Sequence, residues 1–371
     1  MTMVPINVSA IDPYLEGMWA LGGTDLHITA GAPPLVRVDG RLFPLPDQPA
    51  LRPEETAQLI LGVLTDDLSS QFRREKEVDF SFSWHGQTRF RANVYYQQGT
   101  MAMALRAIPF RIPTMEELGL PPIMEHFAYL PQGLILVTGP TGSGKSTTQA
   151  SMIDFINQNR ECHILTIEDP IEYVHTHKRS AVNQREVGYD TDSFPRALRS
   201  ALREDPDVIL VGEMRDPETI QFALTIAETG HLVFATLHTN DASTALNRIV
   251  DVFPSERQQQ IRVQLAASLG GVVAQRLVPR IGGGLVAAFE IVIANHPIRN
   301  LIREGKTHQI RNVIATNLRE GMQTMEVSLN SLVEQGLVSY EDACDRSMFP
   351  NEIRPPAMVP GAPPIPAVNG S

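Results

Sequence analysis

Gly139-Pro140-Thr141-Gly142-Ser143-Gly144-Lys145-Ser146-Thr147 is the stretch that decides how this chain reads. It follows the apolar run Leu134-Ile135-Leu136-Val137 and precedes a helical segment starting near Ser146. Strand, glycine-rich turn and helix in that order, with the spacing G-x-x-x-x-G-K-[ST], form a phosphate loop. The glycines let the backbone wrap closely, so successive N–H groups and the helix N-terminus face phosphate oxygens. In that geometry Lys145 reaches the β- and γ-phosphates of ATP and the Ser146 hydroxyl ligates Mg2+. The alternative, a glycine-rich turn beside a surface lysine, leaves the full motif and its flanking elements unexplained.

Downstream of this loop, apolar strands alternate with helical segments, the grammar of a parallel sheet with crossover helices. Ligands of such sheets sit outside the carboxyl ends of the strands. Three further strands end on polar groups: His163 to Ile167 leads to Glu168, Val208 to Val211 leads to Gly212-Glu213, and Leu232 to Leu237 leads to His238. Glu213 stands where an acidic strand-end residue holds the metal, although Gly212 occupies the place where many phosphate-loop proteins have Asp. Glu168 and Glu213 therefore divide two tasks, holding the metal with its waters and orienting the attacking water. The favoured division puts Glu213 with Ser146 on the metal and Glu168 on the water; the reverse stays open, as does a helix-capping role for either. His238 reads as a γ-phosphate sensor or a structural histidine. His231 and His238 are seven residues apart on one strand, about 23 Å when extended, and cannot share an ion.

Upstream, the first 110 residues read as a small α+β domain. A helix within residues 14–30 precedes the short segment Asp25 to Thr29, a hairpin turns at Asp39-Gly40, and one helix covers residues 54–75. Three strand-like runs follow, Val78 to Trp84, Thr88 to Tyr96 and Met101 to Ile108. A two-residue turn at Gln98-Gly99 pairs Gln97 with Thr100 and sets Arg91 opposite Arg106. Like charges directly across a strand pair are unfavourable unless an anion lies between them. The two arginines are thus either fingers for a nucleotide or ordinary solvated or carboxylate-paired side chains. Residues 111–122, rich in proline, read as a linker, and residues 123–349 as the phosphate-loop domain. The Pro-rich residues 350–371 have the composition of a disordered tail. Arg196, Arg199 and Arg203 fall on one helix face, a solvated or subunit-contact stripe. The segment from Pro297 to Lys306 reads as a short amphipathic helix with proline at its start.

The 371 residues carry a net charge of −11, with 43% hydrophobic and 20% charged residues. That balance is globular, and the acidic total argues against nucleic acid as a partner, since phosphate backbones need a basic surface. Cys162 and Cys344 are the only cysteines. They supply neither a disulfide framework nor a zinc cluster and fit a reducing compartment. The N-terminus has no secretory pattern, and no run approaches the ~20 apolar residues of a membrane span. A cytoplasmic location follows, with membrane contact only through a partner.

Together these residues resemble the type IV pilus retraction ATPases, a branch of the secretion ATPases. The likeness runs to about residue 348. It rests on residues 23–28 (GTDLHI), the phosphate loop, residues 165–175 (LTIEDPIEYVH), 183–186 (NQRE), 205–216 (DPDVILVGEMRD), and the stretch from Gly230-His231 to His238-Thr239. The resemblance implies a PAS-like N-terminal domain, a RecA-like ATPase core and a homohexameric ring. It further implies Arg91 and Arg106 near nucleotide, and work on an inner-membrane pilus platform protein at the cytoplasmic face of the inner membrane. An accessory retraction ATPase is a further expected partner. Residues 297–304 (PIRNLIRE) match a family motif needed for retraction rather than ATP binding, with Pro297 in place of its first Ala; the tail has no counterpart. Pilus-assembly and type II secretion ATPases carry a four-cysteine zinc insertion that two distant cysteines cannot supply. The accessory retraction ATPase is disfavoured by Ile298 to Arg303. A nucleic-acid-driven recombinase or helicase on the same core is opposed by the acidic balance.

Overall fold

The computed structural model describes residues 6–355 except 39, 87, 109 and 110. The chain divides into two compact units, one of Met1–Arg111 with Glu172–Val174, the other of Ile112–Ile171 with His175–Ser371.

The first unit holds helices α1 (Asp12–Ala20), α2 (Pro53–Val63) and α3 (Asp66–Glu75) and six strands. The strands are β1 (Asp25–Thr29), β2 (Leu35–Val38), β3 (Arg41–Pro44), β4 (Glu77–Trp84), β5 (Thr88–Gln97) and β6 (Thr100–Ile108), in the sheet order β3-β2-β1-β6-β5-β4. Every pairing is antiparallel. Phe80, Phe82, Phe90, Val94, Met103 and Leu105 turn inward and pack with Leu15, Met18, Ile60 and Phe72. The expected single helix over residues 54–75 is two helices. Leu64 and Thr65 are extended, and the Thr65 hydroxyl accepts from the N–H of Leu68 at 3.3 Å to start a new helix. A capping threonine followed by two aspartates was the signal for that break.

The second unit contains α4 (Ile123–Tyr129), β7 (Gly133–Thr138), α5 (Lys145–Asn159), β8 (His163–Glu168), β9 (Ala181–Glu186), α6 (Phe194–Ala201), β10 (Val208–Val211), α7 (Pro217–Glu228), β11 (Leu232–Leu237), α8 (Ala242–Asp251) and α9 (Ser255–Ser268). Then come β12 (Leu269–Pro279), β13 (Leu285–Ile293), α10 (His296–Arg303), α11 (Ile310–Thr316), α12 (Met325–Glu334) and α13 (Tyr340–Arg346). The sheet order is β13-β12-β7-β11-β10-β8-β9, parallel except where β13 returns antiparallel along β12. Strands β7, β10 and β11 are buried at every position, which explains their unbroken apolar sequence. Each large aliphatic side chain buried there contributes about 1.5–3 kcal/mol.

The sheet order positions the chemistry. The chain leaves β7 through the phosphate loop and α5, and returns in β8 with β11 and β10 lying between the two strands. Four strand ends therefore open along one edge. The proline-rich stretch before α4 packs inward through Met115, which joins Met124 and Phe127 in the core of this unit. The tail is anchored as far as Ile353, buried beside Leu329 and Val338, because Asn330 bonds the carbonyl of Glu352 and the N–H of Arg354. The rest of the Pro-rich tail, from residue 356, lies outside the described residues, as does Asp39 of the expected first hairpin turn.

Candidate nucleotide site

The phosphate loop joins β7 directly to α5. Gly139, Gly142 and Gly144 take φ of 151°, 77° and 85°, a region that side-chain-bearing residues rarely adopt. Gly139 is needed for space as well, because a Cβ there would lie 2.4 Å from the carbonyl oxygen of Gln275. Gly144 occupies the N-cap of α5, so the first free N–H groups of the helix open toward the loop. The Ser143 hydroxyl is buried without a hydrogen-bond partner among the described residues. A phosphate oxygen in the loop is the acceptor such a group needs.

Lys145 is 7% exposed. Its Nζ donates to the carbonyls of Gly139 at 2.9 Å and Pro140 at 3.0 Å and lies 3.5 Å from Nδ1 of His238. The other face of that imidazole reaches Glu213, with Nε2 3.3 Å from Oε1. Glu213 is also ion-paired to Arg215 at 2.5 Å, and that hydrogen bond, with the charge behind it, raises the Arg215 pKa. Lys145, His238 and Glu213 thus form one connected line from the ends of β7, β11 and β10. Beside it opens a cavity of about 590 Å³ bordered by Thr141, Glu213, Arg215, His238, Thr239 and Arg248.

Glu168 closes β8 and is 9% exposed. Its Oε1 accepts from the Thr166 hydroxyl at 2.6 Å and from the Gln184 amide at 3.2 Å. Glu213 carries a guanidinium partner, and these two donors to Glu168 are a hydroxyl and an amide. Ser146 and Thr147 lie in the first turn of α5, half-buried, with Ser146 next to Lys145. The hydroxyl of Ser146 and the carboxylate of Glu213 are hard oxygen donors, the chemistry Mg2+ selects.

His231 is a structural residue, its Nδ1 3.1 Å from the carbonyl of Ile226 and 3.3 Å from the Thr229 hydroxyl. Arg91 and Arg106 belong to the first unit. They stand directly opposite each other on β5 and β6, the register read from the sequence. Arg106 donates to Asp25 at 2.7 Å, while Arg91 is exposed and has no ion-pair partner among the described residues. Burial raises the Asp25 carboxyl pKa, but hydrogen bonds from Arg106 and Thr24 and the charges of Arg106 and Arg37 outweigh it, and the net shift is downward. Of the arginine stripe on α6, Arg196 pairs with Asp192 and Arg199 with Glu218.

Sequence reading passed over Gln275. It is 3% exposed on β12, accepts from the Thr148 hydroxyl at 2.8 Å, and packs against the backbone of Gly139 and Gly144. The signal was available as an amide directly after the apolar run Val272-Val273-Ala274. Gln184 lies within the NQRE stretch, and nothing in its local sequence announces a partner on β8.

The sequence model of the Type II/IV secretion system protein family matches residues 114–284. The chain is 50% identical over 329 residues to the type IV pilus retraction ATPase PilT of Pseudomonas aeruginosa, covering 89% of this chain and 95% of that protein. It is likewise 50% identical over 335 residues to a twitching motility protein of Neisseria gonorrhoeae, 90% of this chain and 87% of that one. A crystal structure of the pilus retraction motor PilT with bound ADP superposes with a TM-score of 0.87 at 53% identity, over 93% of this chain and 98% of that chain.

Proposed function

The chain belongs to the type IV pilus retraction ATPases and is an ATP-hydrolysing enzyme, and from that footing we propose that it is the motor that retracts a type IV pilus and powers twitching motility. The observation that carries the reading is the convergence of Lys145, Glu168, Glu213 and His238 at four adjacent strand ends of one parallel sheet.

In this account residues 139–147 wrap the triphosphate and Lys145 holds its β- and γ-oxygens. Ser146 and Glu213 would hold Mg2+, which would supply positive charge against the triphosphate. Glu168 orients the attacking water and takes its proton as the water oxygen bonds to the γ-phosphorus. The bond to the β–γ bridging oxygen breaks, and ADP leaves with both electrons of that bond. His238, touching both Lys145 and Glu213, reports whether the γ-phosphate is present. Arg91 and Arg106 complete the charge stabilisation from the PAS-like unit, within one subunit or across a homohexameric ring. Loss of the γ-phosphate releases that clamp, and the movement is delivered to an inner-membrane platform protein.

No helix among the described residues is long and apolar enough to cross a membrane. In this account the motor meets the inner membrane at its cytoplasmic face through a partner. An accessory retraction ATPase is a second candidate partner. The reading is tested by expressing the chain in a type IV piliated host deleted for its own retraction ATPase. Restored twitching with Mg2+-dependent phosphate release from the purified protein supports it; release without restored twitching assigns the motor to other work.

A further inference from the structure

We infer that Gln184 is a positioning residue for the attacking-water step, acting through Glu168. The placement follows from strand geometry. Alternation along β8 puts Thr166 and Glu168 on the same face. The parallel register sets Gln184 of β9 directly beside Thr166, so its side chain rises on that face too. The Thr166 hydroxyl and the Gln184 amide then both donate to one oxygen of Glu168, Oε1, at 2.6 and 3.2 Å.

The amide is held in one orientation. Its oxygen accepts from the backbone N–H of His175 at 2.7 Å, so the Nε2 end faces the carboxylate. Gln184 thus links three pieces of chain: the end of β8, the edge strand β9, and the segment at His175. Two donors meeting on one oxygen hold that carboxylate in one rotamer. Fixed aim at the reacting water is what a general base requires.

The inference rests on Glu168 being the water-activating carboxylate, and the experiment separates the two. Steady-state Mg2+-ATPase assays on the full-length protein compare Gln184→Leu, Glu168→Gln and the double variant, with ADP affinity, assembly state and melting temperature measured alongside. Gln184→Leu is expected to lower kcat about 10- to 100-fold, the scale of a misaimed catalytic group. KM for ATP, assembly and ADP affinity stay at wild-type values. Glu168→Gln is expected to lower kcat by about 10²- to 10⁴-fold. In that background Gln184→Leu adds no further loss, because the group it aims is gone. An unchanged kcat in Gln184→Leu overturns the inference, and so do losses that multiply in the double variant. A Glu168→Gln protein keeping more than a tenth of its rate instead overturns the assignment of Glu168 and removes the ground for a role of Gln184. Should Gln184→Leu fold poorly, Gln184→Met keeps the side-chain length without the donor, and Thr166→Val removes the companion bond; both are expected to lower kcat with KM unchanged.

Discussion

Lys145 and His238 meet across the site, Nζ to Nδ1 at 3.5 Å, although they are ninety-three residues apart in the chain. The contact exists because β7 and β11 are hydrogen-bonded neighbours with Thr138 abreast of Leu237, so the residues following each strand end open beside one another. The Thr138 hydroxyl bonds Thr239 at 2.6 Å and ties the two ends together.

His238 is therefore expected to matter for turnover more than for binding. His238→Ala should lower kcat about 100-fold, comparable to losing one transition-state donor, while KM for ATP changes less than about threefold. Steady-state ATPase kinetics with a fluorescent ADP-binding assay measure both. A selective rise in KM would make His238 a binding residue instead.

Gly139→Ala should abolish nucleotide binding. The new Cβ meets the backbone carbonyl oxygen of Gln275 at 2.4 Å, and φ of 151° is strained for any side chain. A stability loss of about 1–3 kcal/mol is expected with it. Denaturant melts and ADP titration check the two effects.

Arg91 and Arg106 should part company when mutated separately. Arg91→Ala is expected to leave the melting temperature unchanged and to lower kcat at least tenfold. Arg106→Ala should lower kcat and also weaken the fold by about 1 kcal/mol, a small figure because the guanidinium that leaves Asp25 is largely solvated. Thermal melts alongside ATPase rates distinguish them.

Glu290 gives a pH dependence of stability. It sits 8% exposed on β13 and accepts from the N–H of Ala242 at 2.9 Å, at the start of α8. Burial above all, helped by the charges of Asp241 and Glu326, pushes its pKa up to about 7 against the hydrogen bond from Ala242 and the attraction of Arg311. The unfolded chain releases this proton near 4.5, the folded chain near 7, so the fold binds more protons between those values. Stability from this group is complete below about 4.5 and is lost as pH rises through about 7. Glu290→Gln, neutral throughout, should raise the melting temperature at pH 8 relative to wild type and much less at pH 5. The difference is of order 2–3 kcal/mol, set by 1.36 kcal/mol per pH unit over that window.

What the sequence made legible follows from which interactions are local. The phosphate loop announces itself because glycines, lysine and hydroxyls must occupy fixed places in one turn. Strands β7, β10 and β11 show as apolar runs because neighbouring strands and packed helices bury both of their faces. Arg91 opposite Arg106 was readable since a two-residue turn fixes the register of a hairpin. By contrast β9, at the sheet edge, mixes Asn183, Gln184, Arg185 and Glu186 and carries no apolar signature. Its register with β8 is set by a long excursion of chain, so the bond from Gln184 to Glu168 could not be read locally. The same holds for Gln275, whose partners Thr148 and Gly139 lie more than a hundred residues away. The helix break at Thr65 had a local signal, a cap followed by Asp66 and Asp67, and helical spacing on both sides obscured it.

Whether ATP turnover at Glu213 and its neighbours drives retraction is decided by counting surface pili in the native host with Glu213→Ala replacing the wild type. With protein level held equal, the account predicts excess pili and lost twitching. Bald cells would contradict it by assigning the motor to pilus assembly, and unchanged pili would contradict it by removing the motor from the retraction step.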